Sequence, residues 1–157
     1  MEIITDPGYE TLGQPDSPWH IEAHEVAGIT AQGIDGICCL QVVSPHQVQA
    51  HAEMRYGPFP VERGQEIALH FQACAETAMP FRLRLSEWHE PNRCLCSPRE
   101  KIHEWRFEAD WRRYEYTFHI IHSEPRARLN FELGGSDNRL WLTRLRLVAR
   151  LPESAKL

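Results

Sequence analysis

The sequence predicts an all-β chain, a two-sheet antiparallel β-sandwich (jelly roll) of eight to nine strands. Three observations carry that reading. Apolar and polar residues alternate along most of the chain, while the three-to-four-residue rhythm of an amphipathic helix is almost absent. Clusters of Gly, Pro, Asp and Ser interrupt the alternation at short intervals. The chain has 157 residues and is 42% apolar, enough to bury one core without disulfide staples. No repeat, low-complexity tract or linker divides it, so residues 1–157 read as a single domain.

The strands follow in order from these signals. Trp19–Ala23 opens the series, and Gly36–Val43 runs from the turn "QGIDG" to "SPH". Val48–Tyr56 lies between "SPH" and "YGPFPVERGQ", read as a proline-bearing turn. In Glu66–Ala75 the side chains of Ile67, Leu69, Phe71 and Ala73 share one face and form a core side. Phe81–Trp88 does the same with Phe81, Leu83 and Leu85, and stops at "EPNRCLCSPR". Ile102–Phe107 is short. Arg113–Ile121 offers Tyr114, Tyr116, Phe118 and Ile120 to the core and ends before "SEPR". Arg126–Glu132 and the residue after it bury Ala127, Leu129, Phe131 and Leu133, and "GGSDN" separates this strand from Leu140–Ala149. The tails, Met1–Thr11 and Pro152–Leu157, are expected to be loosely held.

Composition narrows the partners. The net charge is −5, and the arginines are interleaved with carboxylates, so a nucleic-acid partner is not expected. No apolar run is long enough to span a membrane, and "MEIITDPGYE" lacks the basic and apolar regions of a signal peptide. The expectation is a cytoplasmic protein as written, or a module excised from a larger or secreted one. Five cysteines, an odd number, argue for reduced thiols over a complete disulfide framework. Within "HEPNRCLCSPREKIH", His89, Cys94, Cys96 and His103 are weak zinc candidates, because Cys-x-Cys departs from the usual two-residue gap.

The non-core positions carry the functional signal. Gln49, His51, Glu53 and Arg55 point away from the core, as do His70 and Gln72, Arg82, Arg84 and Trp88, Thr117 and His119, and Arg128, Asn130 and Glu132. Two residues apart on one strand, Arg82 and Arg84 stand about 7 Å from each other. In a sheltered groove their repulsion calls for carboxylates or an oxygen-rich ligand, and Glu53 and Glu132 share their face. On an open surface the same residues would make a salt-laced solvent face. Trp88, beside a loop and among arginines, has the character of a ligand platform.

The order of features resembles the carbohydrate-binding modules of families four, nine and twenty-two, within the galactose-binding-like jelly rolls. "DPGYE" at Asp6–Glu10 stands where such modules carry an Asn-Gly-Gly-Phe-Glu-like opening, and Trp19 follows as the early tryptophan. "GICCLQV", "VQAHAEMRYGPFPVERGQEIALHFQACAE", "LSEWHEP", "ADWRRYEYTFHI" and "ARLNFELGGSDNRLWLTRLRL" resemble the successive strand and loop blocks. The resemblance implies non-catalytic binding of an oligo- or polysaccharide in a polar, aromatic-edged groove on one sheet. The matching residues are Gln49, His51, Glu53, Arg82, Arg84, Trp88, Asn130 and Glu132. It also implies a structural calcium held partly by the opening glutamate, Glu10. Thr143 and Arg144 stand where a second, aspartate ligand is expected, so no cofactor is assigned.

An enzymatic alternative stays open. The hapalindole-type (Stig) cyclases use a similar sandwich on a small molecule, and His51, Glu53, His119 and Glu132 could serve as acid and base in a dry groove. Against it, the chain lacks Gly-x-Ser-x-Gly, a phosphate loop and His-Glu-x-x-His.

Overall fold

The computed structural model describes residues 1–23, 28–43, 52–96, 103–133 and 137–151. Ten strands occupy these segments: β1 (Trp19–Ala23), β2 (Gly28–Ile34), β3 (Ile37–Val43), β4 (Ala52–Val61) and β5 (Glu66–Ala75). The rest are β6 (Met79–Glu87), β7 (His103–Phe107), β8 (Arg112–His119), β9 (Glu124–Glu132) and β10 (Asn138–Arg150). They form two five-stranded antiparallel sheets, ordered β1-β4-β9-β6-β7 and β2-β3-β10-β5-β8. No helix among the described residues is long and apolar enough to cross a membrane.

The core lies between the sheets, where alternation put it. Phe81, Leu83 and Leu85 of β6, and Ala127, Leu129 and Phe131 of β9 with the adjoining Leu133, are fully buried. Facing them, Ile67, Leu69 and Phe71 of β5 are buried to the same degree. Phe71 bridges the two layers, its ring centroid 5.4 Å from Phe131 and 6.2 Å from Phe81, both edge-on, while Tyr114 stacks on it at 4.9 Å. Edge-to-face contacts of this kind satisfy the ring quadrupoles and add to the burial of apolar area.

Three sequence expectations change. Among the described residues the strand count is ten, because Gly28–Ile34 is a strand pairing with β3 along its whole length. Its sequence, "GITAQGI", hides this, since its inward position Gly33 has no side chain. A Cβ there would come within 2.8 Å of the Tyr9 carbonyl, so the glycine lets the N-terminal segment lie directly on the strand. Second, "YGPFPV" is strand rather than turn. β4 runs on to Val61 through two register shifts against β9, and β1 reaches only to Tyr56. Beyond that point Pro58 and Pro60 have no β1 partner, so their missing N–H groups cost no ladder bond.

Third, Met1–Thr11 is pinned. Ile3 donates to the Leu147 carbonyl at 2.7 Å, and Glu2 bridges to Val148. The Asp6 carboxylate accepts the N–H groups of Glu10 and Thr11 and the Thr11 hydroxyl at 2.6–2.9 Å. Burial works against that charge, but the Thr11 and Glu10 bonds outweigh it and hold the carboxyl below its ordinary value. The turn so fixed inserts Tyr9 into the core, 4.8 Å from Trp19, whose indole donates to the Asp6 carbonyl.

Candidate functional site on the outer face of one sheet

Cross-strand register assembles the site from β1, β4, β9 and β6. One row runs Glu53 (β4), Glu132 (β9), Arg82 (β6), with Glu22 and Glu104 at the flanking register positions of β1 and β7. The next runs His20, Arg55, Asn130, Arg84. The third pairs Arg128 with Ser86. Neighbouring strands lie about 4.8 Å apart, so each row places hydrogen-bonding groups at roughly the spacing of the ladder itself.

These side chains are packed against one another. Glu53 pairs with Arg55 on its own strand. The Glu132 carboxylate lies 3.6 Å from the Arg84 guanidinium, which also donates to the Asn92 carbonyl at 2.7 Å and so ties the loop after β6 to the sheet. Glu53, Arg128, Asn130 and Glu132 are all at least nine-tenths buried, though none faces the apolar core. Burial pushes the Glu132 carboxyl above its ordinary value; Arg84 and Arg82 oppose the shift and Glu53 adds to it. Asn130 donates through its amide to the Arg84 carbonyl and the Ser86 hydroxyl, both at 3.1 Å.

Trp88 sits at one end of this face. Its ring meets His20 edge-on at 4.8 Å and is half-buried. Beneath it is Gly57, where a Cβ would come within 2.7 Å of the Ala127 carbonyl and 3.4 Å of the indole. Gly57 has φ of 149°, a conformation open chiefly to glycine, so strand β4 passes close under the indole without obstruction.

Of the residues expected from sequence, Glu53, Arg82, Arg84, Trp88, Asn130 and Glu132 share this one face, while Gln49 and His51 lie outside the described residues. The acid–base set of the enzymatic alternative does not come together. His119 is on β8 of the other sheet, exposed and 3.7 Å from Glu66, across the sandwich from Glu53 and Glu132. His70, Gln72 and Thr117 go with it, because β5 and β8 belong to that second sheet. His20, Ser86 and Arg128 join the face without having been singled out as ligands. Alternation sorts inside from outside but says nothing about which sheet a strand joins.

Among the described residues neither metal set assembles. Glu10 is exposed, and at the last strand the Thr143 hydroxyl donates to the Gly36 carbonyl at 2.9 Å, so the calcium donors implied by the sequence do not fit. In the other candidate set, Cys96 is buried with its thiol toward the Leu85 carbonyl, whereas His89 is exposed, and the His103 side chain lies outside the description. Among the described residues no three His, Cys, Asp or Glu groups converge on one point.

No protein-family model and no curated protein matches the sequence. Solved structures do. A family 4 carbohydrate-binding module superposes with a TM-score of 0.77 over 94% of this chain and 100% of its own, at 18% identity. The second N-terminal cellulose-binding domain of β-1,4-glucanase C from Cellulomonas fimi gives 0.68 over 93% and 92%, at 20% identity. A family 11 module from Clostridium thermocellum, solved with a β-1,3-1,4-mixed-linked tetrasaccharide, gives 0.53 over 87% and 91%, at 10% identity. At these identities the likeness is one of fold: the chain has the β-sandwich of carbohydrate-binding modules.

Proposed function

We propose that the protein binds an oligo- or polysaccharide, without chemistry, in a groove along the outer face of the β1-β4-β9-β6-β7 sheet. The observation that carries this is the pair of register rows: Glu53, Glu132 and Arg82, then Arg55, Asn130 and Arg84, ending at Trp88 and His20. A sugar presents hydroxyls that both donate and accept, and the rows supply carboxylates and an amide oxygen to accept, guanidiniums to donate. Each such bond contributes only about 0.5–1.5 kcal/mol net, so affinity comes from several together with ring stacking on Trp88. The carbohydrate-binding modules that share the sandwich support the same reading.

The test is affinity electrophoresis and calorimetry against a panel of soluble polysaccharides and their oligosaccharides. Retardation by at least one glycan, lost or weakened several-fold in Trp88→Ala while the fold is retained, is the expected result. Failure of the whole panel to retard the wild-type protein contradicts the proposal.

A further inference from the structure

Resting on the carbohydrate reading, we infer that the saccharide taken by this face carries an anionic substituent, a carboxylate or a sulfate, and that Arg128 receives it. Arg128 is 5% exposed, yet its guanidinium is hydrogen-bonded only to the neutral Ser86 hydroxyl, at 3.2 Å, and no carboxylate is in ion-pair contact with it among the described residues. Its neighbours are otherwise committed: Arg55 is paired with Glu53 and Arg84 with Glu132. A buried charge without a counter-ion is costly, and an anion from outside offsets that cost.

The electrostatics agree in direction. Burial holds the Arg128 guanidinium below its ordinary value, and the charges of Arg55 and Arg84 push the same way, while Glu53 and Glu90 only partly compensate. Of these three arginines, Arg128 is the one without a carboxylate in ion-pair contact among the described residues.

A second buried group points to the same place. Asn130 is 1% exposed, and among the described residues its amide oxygen has no hydrogen-bond partner, because its bonds to Arg84 and Ser86 both run through the amide nitrogen. One row along β9 from Arg128, and donating to the same Ser86 oxygen, it is an unused acceptor beside an only partly compensated donor. A sugar hydroxyl next to a carboxylate or sulfate supplies the complement of both. Trp88 completes the subsite. The position a Gly57 Cβ would occupy lies 3.4 Å from both the indole and the Arg128 Cα, so Trp88 and the Arg128 backbone flank the same point of β4.

The experiment is calorimetry with matched sets on β-1,4- and β-1,3-linked backbones: the neutral oligosaccharide, its C6-oxidised uronate form and its sulfated form. Wild-type protein is expected to bind one acidic form about tenfold or more tightly than the neutral one. Arg128→Gln should abolish that preference, so that acidic and neutral forms bind the variant alike, and the form wild type prefers identifies the substituent. In wild type the preference should shrink as salt rises from about 0.05 to 0.5 M, a readout independent of how the variant folds. Equal binding of neutral and acidic forms overturns the inference and leaves the carbohydrate reading standing. An acidic preference that survives in folded Arg128→Gln removes Arg128 from the site. Binding of no member of either set overturns the inference, and failure of the wider polysaccharide panel overturns the carbohydrate reading with it.

Discussion

Glu53 on β4 and Glu132 on β9 stand directly opposite each other, two carboxylates as cross-strand neighbours on one face, each with its own arginine, Arg55 and Arg84. Like charges opposite each other destabilise a strand pair, and the arginines reduce that cost without cancelling it. Glu132 is the more deeply buried of the two, and burial, with Glu53 adding, raises its carboxyl.

That asymmetry sets a pH dependence. An acid whose native pKa lies above its unfolded value holds its proton more tightly when folded. Stability therefore falls as pH rises from the ordinary value of 4.5 through the raised one, and the cost is complete above it. Glu132→Gln lacks this segment. Relative to wild type, the variant should gain stability between about pH 4 and pH 7.5 in denaturant titrations. A variant that loses ground to wild type as pH rises would show that Arg84 and Arg82 dominate the carboxylate instead.

The core makes an independent prediction. Phe131 is fully buried and meets Phe71 across the sandwich. Phe131→Ala should cost about 3–5 kcal/mol in equilibrium unfolding. A loss below about 1 kcal/mol would mean that the two sheets do not pack there.

Gly57 links strand geometry to the face above it. Gly57→Ala sets a methyl against the Ala127 carbonyl, a backbone atom that cannot swing aside, and against the Trp88 ring. The variant should lose about 1–3 kcal/mol of stability. Its near-ultraviolet circular dichroism should change at the indole band, and an unaltered spectrum with wild-type stability would contradict the packing of Trp88 on this glycine.

Thiol chemistry tests the opposite sheet. Cys38 and Cys39 are consecutive on β3 and face opposite ways, the first fully buried and the second half-exposed. Burial, with Cys39 adding, pushes the Cys38 thiol up to about 12. At about pH 8 a thiolate-specific reagent should modify Cys39 in the native protein and reach Cys38 only after unfolding. Equal labelling rates at both positions would contradict the register of β3.

Much of this architecture was legible in the residues. Phe81, Leu83 and Leu85 alternate with charged neighbours so regularly that only one face can be buried, and the strand bears this out. β2 escaped notice because Gly33 and Ala31 replace the large apolar residues that make alternation visible, and its packing comes from Tyr9, more than twenty positions away. Parity also placed His119 on a non-core side correctly while leaving open which sheet that side belonged to. The same limit hid His20 and the pairing of Arg128 with Ser86, which depend on long-range register. Glu53 and Arg82 do share a face, and Glu132 stands between them because β9 inserts between β4 and β6, an order that parity does not reveal.

The proposal that saccharide binds the β1-β4-β9-β6-β7 face is tested most directly by following backbone amide signals in two-dimensional nuclear magnetic resonance during titration with a glycan that the screen identifies. The account predicts shifts clustered at Arg82, Arg84, Ser86, Trp88, Arg128 and Asn130, with the indole signal of Trp88 among the largest. Shifts clustered instead at His70, Gln72, Thr117 and His119, on the outer face of the other sheet, would contradict it.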